Sequence, residues 1–143
     1  MSEIILFVVG AGALIILLST LVIFSNSVEL KKTVNKAKDI DAKIAEMKNK
    51  IIIVSGSSIP EKRIIKAIGL VRGISDTKAA TKEEFSLIEK EALYNMLKEA
   101  NNQGANAIID IKLTTGTYKE GQAMQSLRTI SQAIYMGTAV VAE

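Results

Sequence analysis

The chain has 143 residues and a formal net charge of +3, and it contains neither cysteine nor histidine. Their absence excludes disulfide bonds, zinc sites built on thiolate or imidazole, and catalysis by a histidine base or a cysteine nucleophile. With three phenylalanines, three tyrosines and no tryptophan, the chain has too few aromatic rings for a base-stacking nucleic-acid platform. We therefore expect no nucleic-acid partner, no cofactor and no enzymatic activity.

The first predicted element is an uncharged apolar stretch from Ile4 to Phe24. As a helix it is about 31 Å long at roughly 1.5 Å per residue, which matches a bilayer core of about 30 Å. Lysines follow the stretch from Lys31 onward and none precedes it. Residues 1–25 are therefore predicted to form a single transmembrane helix in the lipid bilayer. Because basic residues favour the cytoplasmic side, the N-terminus is expected outside and the C-terminal domain in the cytoplasm. A cleaved signal peptide is the alternative.

Residues 26–50 are predicted to form a basic helical stalk. A heptad pattern repeats apolar or small residues along this helix. Its a positions are Leu30, Ala37, Ile44 and Ile51, and its d positions are Thr33, Ile40 and Met47. Such a stripe indicates either self-association in a coiled coil or packing of the helix against its own domain, and both alternatives stay open.

The remaining residues, 51–143, are predicted to fold as one α+β domain with a small antiparallel or mixed sheet and one main helix. The helix begins at Thr81, which forms a capping box with Glu84, and it ends at Gly104. Four glutamates of this helix are expected on its solvated face: Glu83, Glu84, Glu89 and Glu91. Apolar and β-branched runs predict strands over 51–54, 63–74, 105–113 and 127–141.

The last predicted strand is apolar on both faces between Ala133 and Val141. A strand buried on both faces needs two covers, and one helix provides only one of them. We therefore expect a neighbouring copy of the chain to supply the second cover. The exposed loop 114–126 is the predicted binding site for an unidentified protein partner. Its candidate contacts are Thr115, Tyr118 and Lys119.

Asn106 and Asp110 lie four residues apart in the third predicted strand, so their side chains are expected to share one face. Two oxygen-bearing side chains form a weak candidate site for a hard cation in an oligomer. The alternative is structural, with Asn106 capping the turn after Gly104 and Asp110 pairing with Lys112.

Three segments stand out: GLVRGIS at 69–75, LKEANNQGANAIIDIKL at 97–113 and YMGTAVV at 135–141. Together they resemble the YbjQ-like family of small bacterial and archaeal proteins, over residues 51–143. The resemblance implies a compact α+β domain assembled into a homo-oligomeric ring, with five copies as the expected number. It also brings a heavy-metal-binding label, although soft metals prefer the thiolate and imidazole ligands that this chain lacks. Four glycines are expected at packing or oligomer contacts: Gly69, Gly73, Gly104 and Gly137.

These observations predict a membrane-anchored, homo-oligomeric scaffold or docking protein with a cytoplasmic ring domain. A ligand- or metal-binding module with sites between subunits is the alternative.

Overall fold

The computed structural model describes residues 34–120 and 128–143. The elements are α1, described over residues 34–48, then β1 (Ile52–Ile53), β2 (Ile64–Ile74), α2 (Lys82–Asn102), β3 (Ala107–Glu120) and β4 (Arg128–Ala142). Residues Ala37–Glu143 form one compact unit. Of the second unit, Met1–Lys36, the structure describes only residues 34–36, which are helical.

The four strands form one mixed sheet in the order β1-β3-β4-β2. β1 runs parallel to the start of β3, whereas β4 lies antiparallel to both β3 and β2. The predicted α+β class with a small mixed sheet is therefore confirmed. Because β1 has only two residues, it covers only the first part of the outer edge of β3.

α2 packs on one face of the sheet, which we call the helix face. Apolar residues recur on α2 every three or four positions, as an amphipathic helix requires. The predicted capping box at its start is confirmed, since the Glu84 N–H donates to Thr81 Oγ1 at 3.2 Å and the Thr81 N–H donates to Glu84 Oε2 at 3.0 Å. Gly104 follows the helix end with a φ of 79°, the left-handed conformation expected there.

α1 contacts the same core as α2. Ile40 and Ile44 are buried with Leu97, and Lys90 of α2 donates to Asp41 of α1 at 2.7 Å. The described part of the heptad stripe therefore packs against its own domain, which is the second alternative above, and not in the coiled coil. Two helices, not one, cover the helix face.

Glycine permits close contact of β2 with α2 at Gly73 and of β4 with side chains of β3 at Gly137. A Cβ atom at Gly73 would lie 2.0 Å from the main-chain oxygen of Ala92, and one at Gly137 would lie 2.7 Å from the Ile108 side chain. Gly69 lies at an irregularity in the pairing of β2 with β4. These contacts lie within one chain, and a role of the glycines between copies stays a prediction.

The opposite face of the sheet, which we call the open face, is covered in part by the segment between β1 and β2. Ile59 of this segment packs in a second buried cluster, with Ala107, Ile109, Val140 and Ala142. The expectation that only another copy covers the second face of β4 is thus wrong at the C-terminal end of this strand. Closer to the start of β4, Ile134 and Met136 remain half-buried.

In the described ranges, no helix is long and apolar enough to cross a membrane. This finding contradicts the predicted localisation as a single-pass membrane protein with a cytoplasmic C-terminal domain. Both described helices carry many charged residues and pack one side against the sheet or each other. The stretch Ile4–Phe24, on which the prediction rested, lies outside the described residues.

Candidate functional site

Asn106 bonds to the main chain of β4. Its side-chain amide donates to the Ala142 carbonyl oxygen at 2.7 Å, and its side-chain oxygen accepts from the Ala142 N–H at 2.8 Å. The side chain thereby imitates a peptide group and extends the sheet by one position. The Asn106 side chain thus bonds across to β4, and these two bonds differ from the predicted cap of the turn after Gly104.

Asp110 interrupts the regular pairing of β3. Its φ is 54°, and the register with β4 shifts between Ile109 and Lys112, which defines a β-bulge. The regular alternation on which a shared face with Asn106 depended is therefore broken between the two residues. No group of three or more acidic side chains in residues 34–120 and 128–143 could hold a metal. The metal site at Asn106 and Asp110 stays a prediction.

The predicted partner loop is wrong for residues 114–120, which continue β3. Thr115, Tyr118 and Lys119 pair with Ala133, Ile130 and Thr129 of β4. Threonine and tyrosine favour strands, and Gly116 alone does not end the strand. Residues 121–127 lie outside the described residues. Contact of these three side chains with a partner stays a prediction, now from a strand.

The paired ends of β3 and β4, residues 113–120 and 128–133, form what we call the arm. Residues 75–79 lie along its β4 side, where Ala79 and Ser131 exchange two main-chain hydrogen bonds of 2.9 and 2.8 Å. The Lys78 ammonium lies 5.0 Å from the centre of the Tyr118 ring, within reach of a cation–π contact. The β4 side of the arm is therefore covered by the chain itself.

Besides the two-residue edge of β1, two strand edges have no neighbouring strand among the described residues. One is the outer edge of β2, at the end of the sheet, and the other is the outer edge of β3 beyond Asp110. Such edges present unpaired N–H and C=O groups that pair readily with another strand. The two edges differ in sequence and in position, so they do not form a self-complementary pair.

The open face beside these edges combines apolar and basic side chains. Leu70 on β2 is 70% exposed. Two residues farther along β2 lies Arg72, which forms a single row over three strands with Met136 of β4 and Lys112 of β3. Both cations in this row are exposed. The face therefore presents an incompletely covered apolar surface with positive charge.

A groove of about 580 Å³ lies on the helix face. It is bordered by the end of α1, by α2 and by strands β1, β3 and β4. The lining residues are Lys48, Ile51, Ile52, Ile53, Leu93, Ile111 and Tyr135. Lys48 provides the only formal charge in this lining. Sequence reasoning missed the groove because its residues come from five separate elements and from the turn before β1.

Tyr135 at this groove predicts a specific dependence of stability on pH. Burial raises the pKa of its hydroxyl, and the nearby Glu89 carboxylate raises it further. A folded-state pKa above the unfolded value of about 10 gives stability that is complete below that pH and is lost as pH rises through the folded pKa. We expect Tyr135→Phe to lose less unfolding free energy than the wild type between about pH 9 and about pH 11 in urea titrations.

Tyr118→Phe serves as the control for this measurement, because it also removes one hydroxyl, from a ring outside the groove. Equal alkaline losses for wild type and Tyr135→Phe would contradict the prediction.

Comparison with known proteins gives matches to a family model, to a relative and to a solved structure. A family model for YbjQ, described as "Putative heavy-metal-binding", matches residues 77–143. A UPF0145 protein from Hahella chejuensis (strain KCTC 2396) is 31% identical, and the match covers 65% of this chain and 100% of that relative. A crystal structure of a DUF74-family protein of unknown function from Pediococcus pentosaceus is 14% identical, with a TM-score of 0.45, over 65% of this chain and 98% of that one.

Proposed function

The chain belongs to the YbjQ-like (UPF0145) family, and we propose that its domain is a self-assembling docking scaffold whose copies associate head to tail. The observation that carries this proposal is the pair of unlike open edges, on β2 and on β3 beyond Asp110. In the assembly, β2 of one copy pairs with the outer edge of β3 in the next. The sheet then continues from copy to copy.

Edge pairing satisfies main-chain groups that a single copy leaves to water. β2 has 11 residues, and the open part of β3 runs from 111 to 120, so each edge offers a row of donors and acceptors. Because the two edges are unlike, their contact is heterologous. Heterologous contacts repeat until they close into a ring or continue as a filament. A closed ring of five copies agrees with the family resemblance.

The charge of the open face also favours head-to-tail association. A two-fold contact between identical open faces would bring the row of Arg72 and Lys112 towards the same row of its partner. Like charges across an interface cost several kcal/mol. A head-to-tail contact avoids this repulsion and presents every open face in the same direction. Repeated copies of one face strengthen binding to a partner that has repeated sites.

Metal binding, the function named in the family description, ranks below the scaffold. The chain has no cysteine or histidine, and soft metals depend on those ligands. The described acidic residues also form no cluster of three that could hold a metal.

Light scattering of the purified full-length chain tests the scaffold. We expect a mass about five times the 15.4 kDa of one copy. The double variant Thr115→Lys and Thr117→Lys adds two cations to the exposed end of the β3 edge. Lysines on an edge strand block pairing, so this variant is expected to elute near the mass of one copy with unchanged circular dichroism.

The matched control adds the same charge on α2, away from both edges, as Ser86→Lys with Asn101→Lys. Both positions are exposed, and we expect the control to assemble like the wild type. A wild-type chain that is monomeric at micromolar concentration, or a β3 variant that assembles unchanged, would refute the proposal.

A further inference from the structure

We propose that the groove on the helix face binds a small amphipathic carboxylate, with its acid group at Lys48 and its apolar body between Ile53, Leu93 and Ile111. The groove volume of about 580 Å³ lies within the range of small-molecule sites. All lining residues belong to one chain, so this site does not depend on the proposed assembly.

The apolar part of the groove suits a hydrocarbon body. Ile51 is 1% exposed and closes the groove against the core, whereas Ile52 is 37% exposed. Ile53, Leu93 and Ile111 are half-buried. Apolar surface removed from water contributes roughly 25 cal/mol per Å². Binding of an apolar ligand body over these side chains is therefore favourable, because it removes exposed apolar protein surface from water.

Lys48 supplies a cation without a carboxylate partner in residues 34–120 and 128–143. The two lysines nearest to it in sequence form ion pairs four residues back, Lys43 with Asp39 at 2.5 Å and Lys50 with Glu46 at 2.7 Å. The residue four positions before Lys48 is Ile44, which is buried and apolar. The ammonium of Lys48 is thus available for a carboxylate from outside the chain.

Two other features set the direction of the ligand. The Glu89 carboxylate acts on Tyr135, so negative charge is disfavoured at the Tyr135 side of the groove. The end of α1 carries the partial negative charge of a helix C-terminus, and Lys48, the last residue of α1, supplies the positive charge that offsets it. The Met47 carbonyl oxygen there accepts from the N–H groups of Lys50 and Ile51, both at 2.9 Å, which satisfies part of this terminus. The acid group is therefore placed at the Lys48 ammonium.

Methyl NMR of the full-length chain, labelled at isoleucine, tests the site with decanoate as the probe. We expect shifts at Ile52, Ile53 and Ile111 and none at Ile59 or Ile109, which pack on the opposite face. Decyltrimethylammonium has a matched tail and the opposite charge, and it is expected to bind at least about tenfold more weakly, the ratio that corresponds to one charge-assisted contact.

Two variants separate charge from packing. Lys48→Met keeps most of the side-chain length, removes the cation and is expected to weaken decanoate binding about tenfold. Lys50→Met removes a lysine that is paired with Glu46 and is expected to leave binding unchanged. Leu93→Trp fills the groove and should abolish the shifts. Equal binding of the two probes, equal effects of the two lysine variants, or no shift in the groove would overturn the proposal.

Discussion

Gly73→Ala is expected to destabilise the folded domain by about 3 kcal/mol or more, the upper range for overpacking a core. A Cβ atom at this position would lie 2.0 Å from the Ala92 oxygen and 2.2 Å from the Met96 nitrogen. Both are main-chain atoms of α2, so no side-chain rotation relieves the clash. The helix has to move away from β2, which opens the core that contains Val71 and Leu97. Urea unfolding of the full-length chain measures the loss.

Gly116→Ala is the matched control, since it makes the same substitution in another strand. The nearest atom to a Cβ at this position is the Gln132 oxygen at 4.0 Å, and alanine is favoured over glycine within a strand. We expect equal or slightly higher stability for this variant. If Gly73→Ala unfolded at the same urea concentration as Gly116→Ala, α2 could not rest on β2 as described.

The boundaries of α2 were predictable because local signals define them. Thr81 and Glu84 satisfy each other's main-chain groups within one turn, and Gly104 adopts a positive φ that few other residues tolerate. Neither signal depends on distant parts of the chain. The ends of a helix that has such caps can therefore be predicted from the sequence.

The course of β3 was predicted less well because long-range pairing decides it. Turn-forming residues in 114–126 indicated a loop, yet residues 114–120 pair with β4. The bulge at Asp110 shifts the register in the middle of the strand, and no local pattern requires a bulge there. Period-two alternation fails at such a position, because one added residue reverses the faces.

The segments that cover the two faces of the sheet also could not be predicted from local sequence alone. The stripe through Ile40 and Ile44 fits a coiled coil and a packed helix equally well, and only the fold distinguishes them. Ile59 lies beside the only proline of the chain, in a segment without periodicity, so its role on the open face had no sequence signal. For the groove, one signal was readable: Lys48, unlike Lys43 and Lys50, has no acid four residues before it.

Glu91→Ala is expected to cost about 2–4 kcal/mol, because it removes the carboxylate that accepts from two half-buried donors of Thr77. Glu91 was expected on the solvated face of α2, yet it is 4% exposed. Its carboxylate accepts from the Thr77 N–H at 2.7 Å and from Thr77 Oγ1 at 2.6 Å, and Thr77 lies in the segment 75–79 that covers the arm. Loss of the anchor should speed hydrogen exchange at Ala79 and Ser131. Glu99→Ala, which removes an exposed glutamate bonded to Gln103, should change stability by less than about 0.5 kcal/mol, and equal losses for the two variants would contradict the anchoring role.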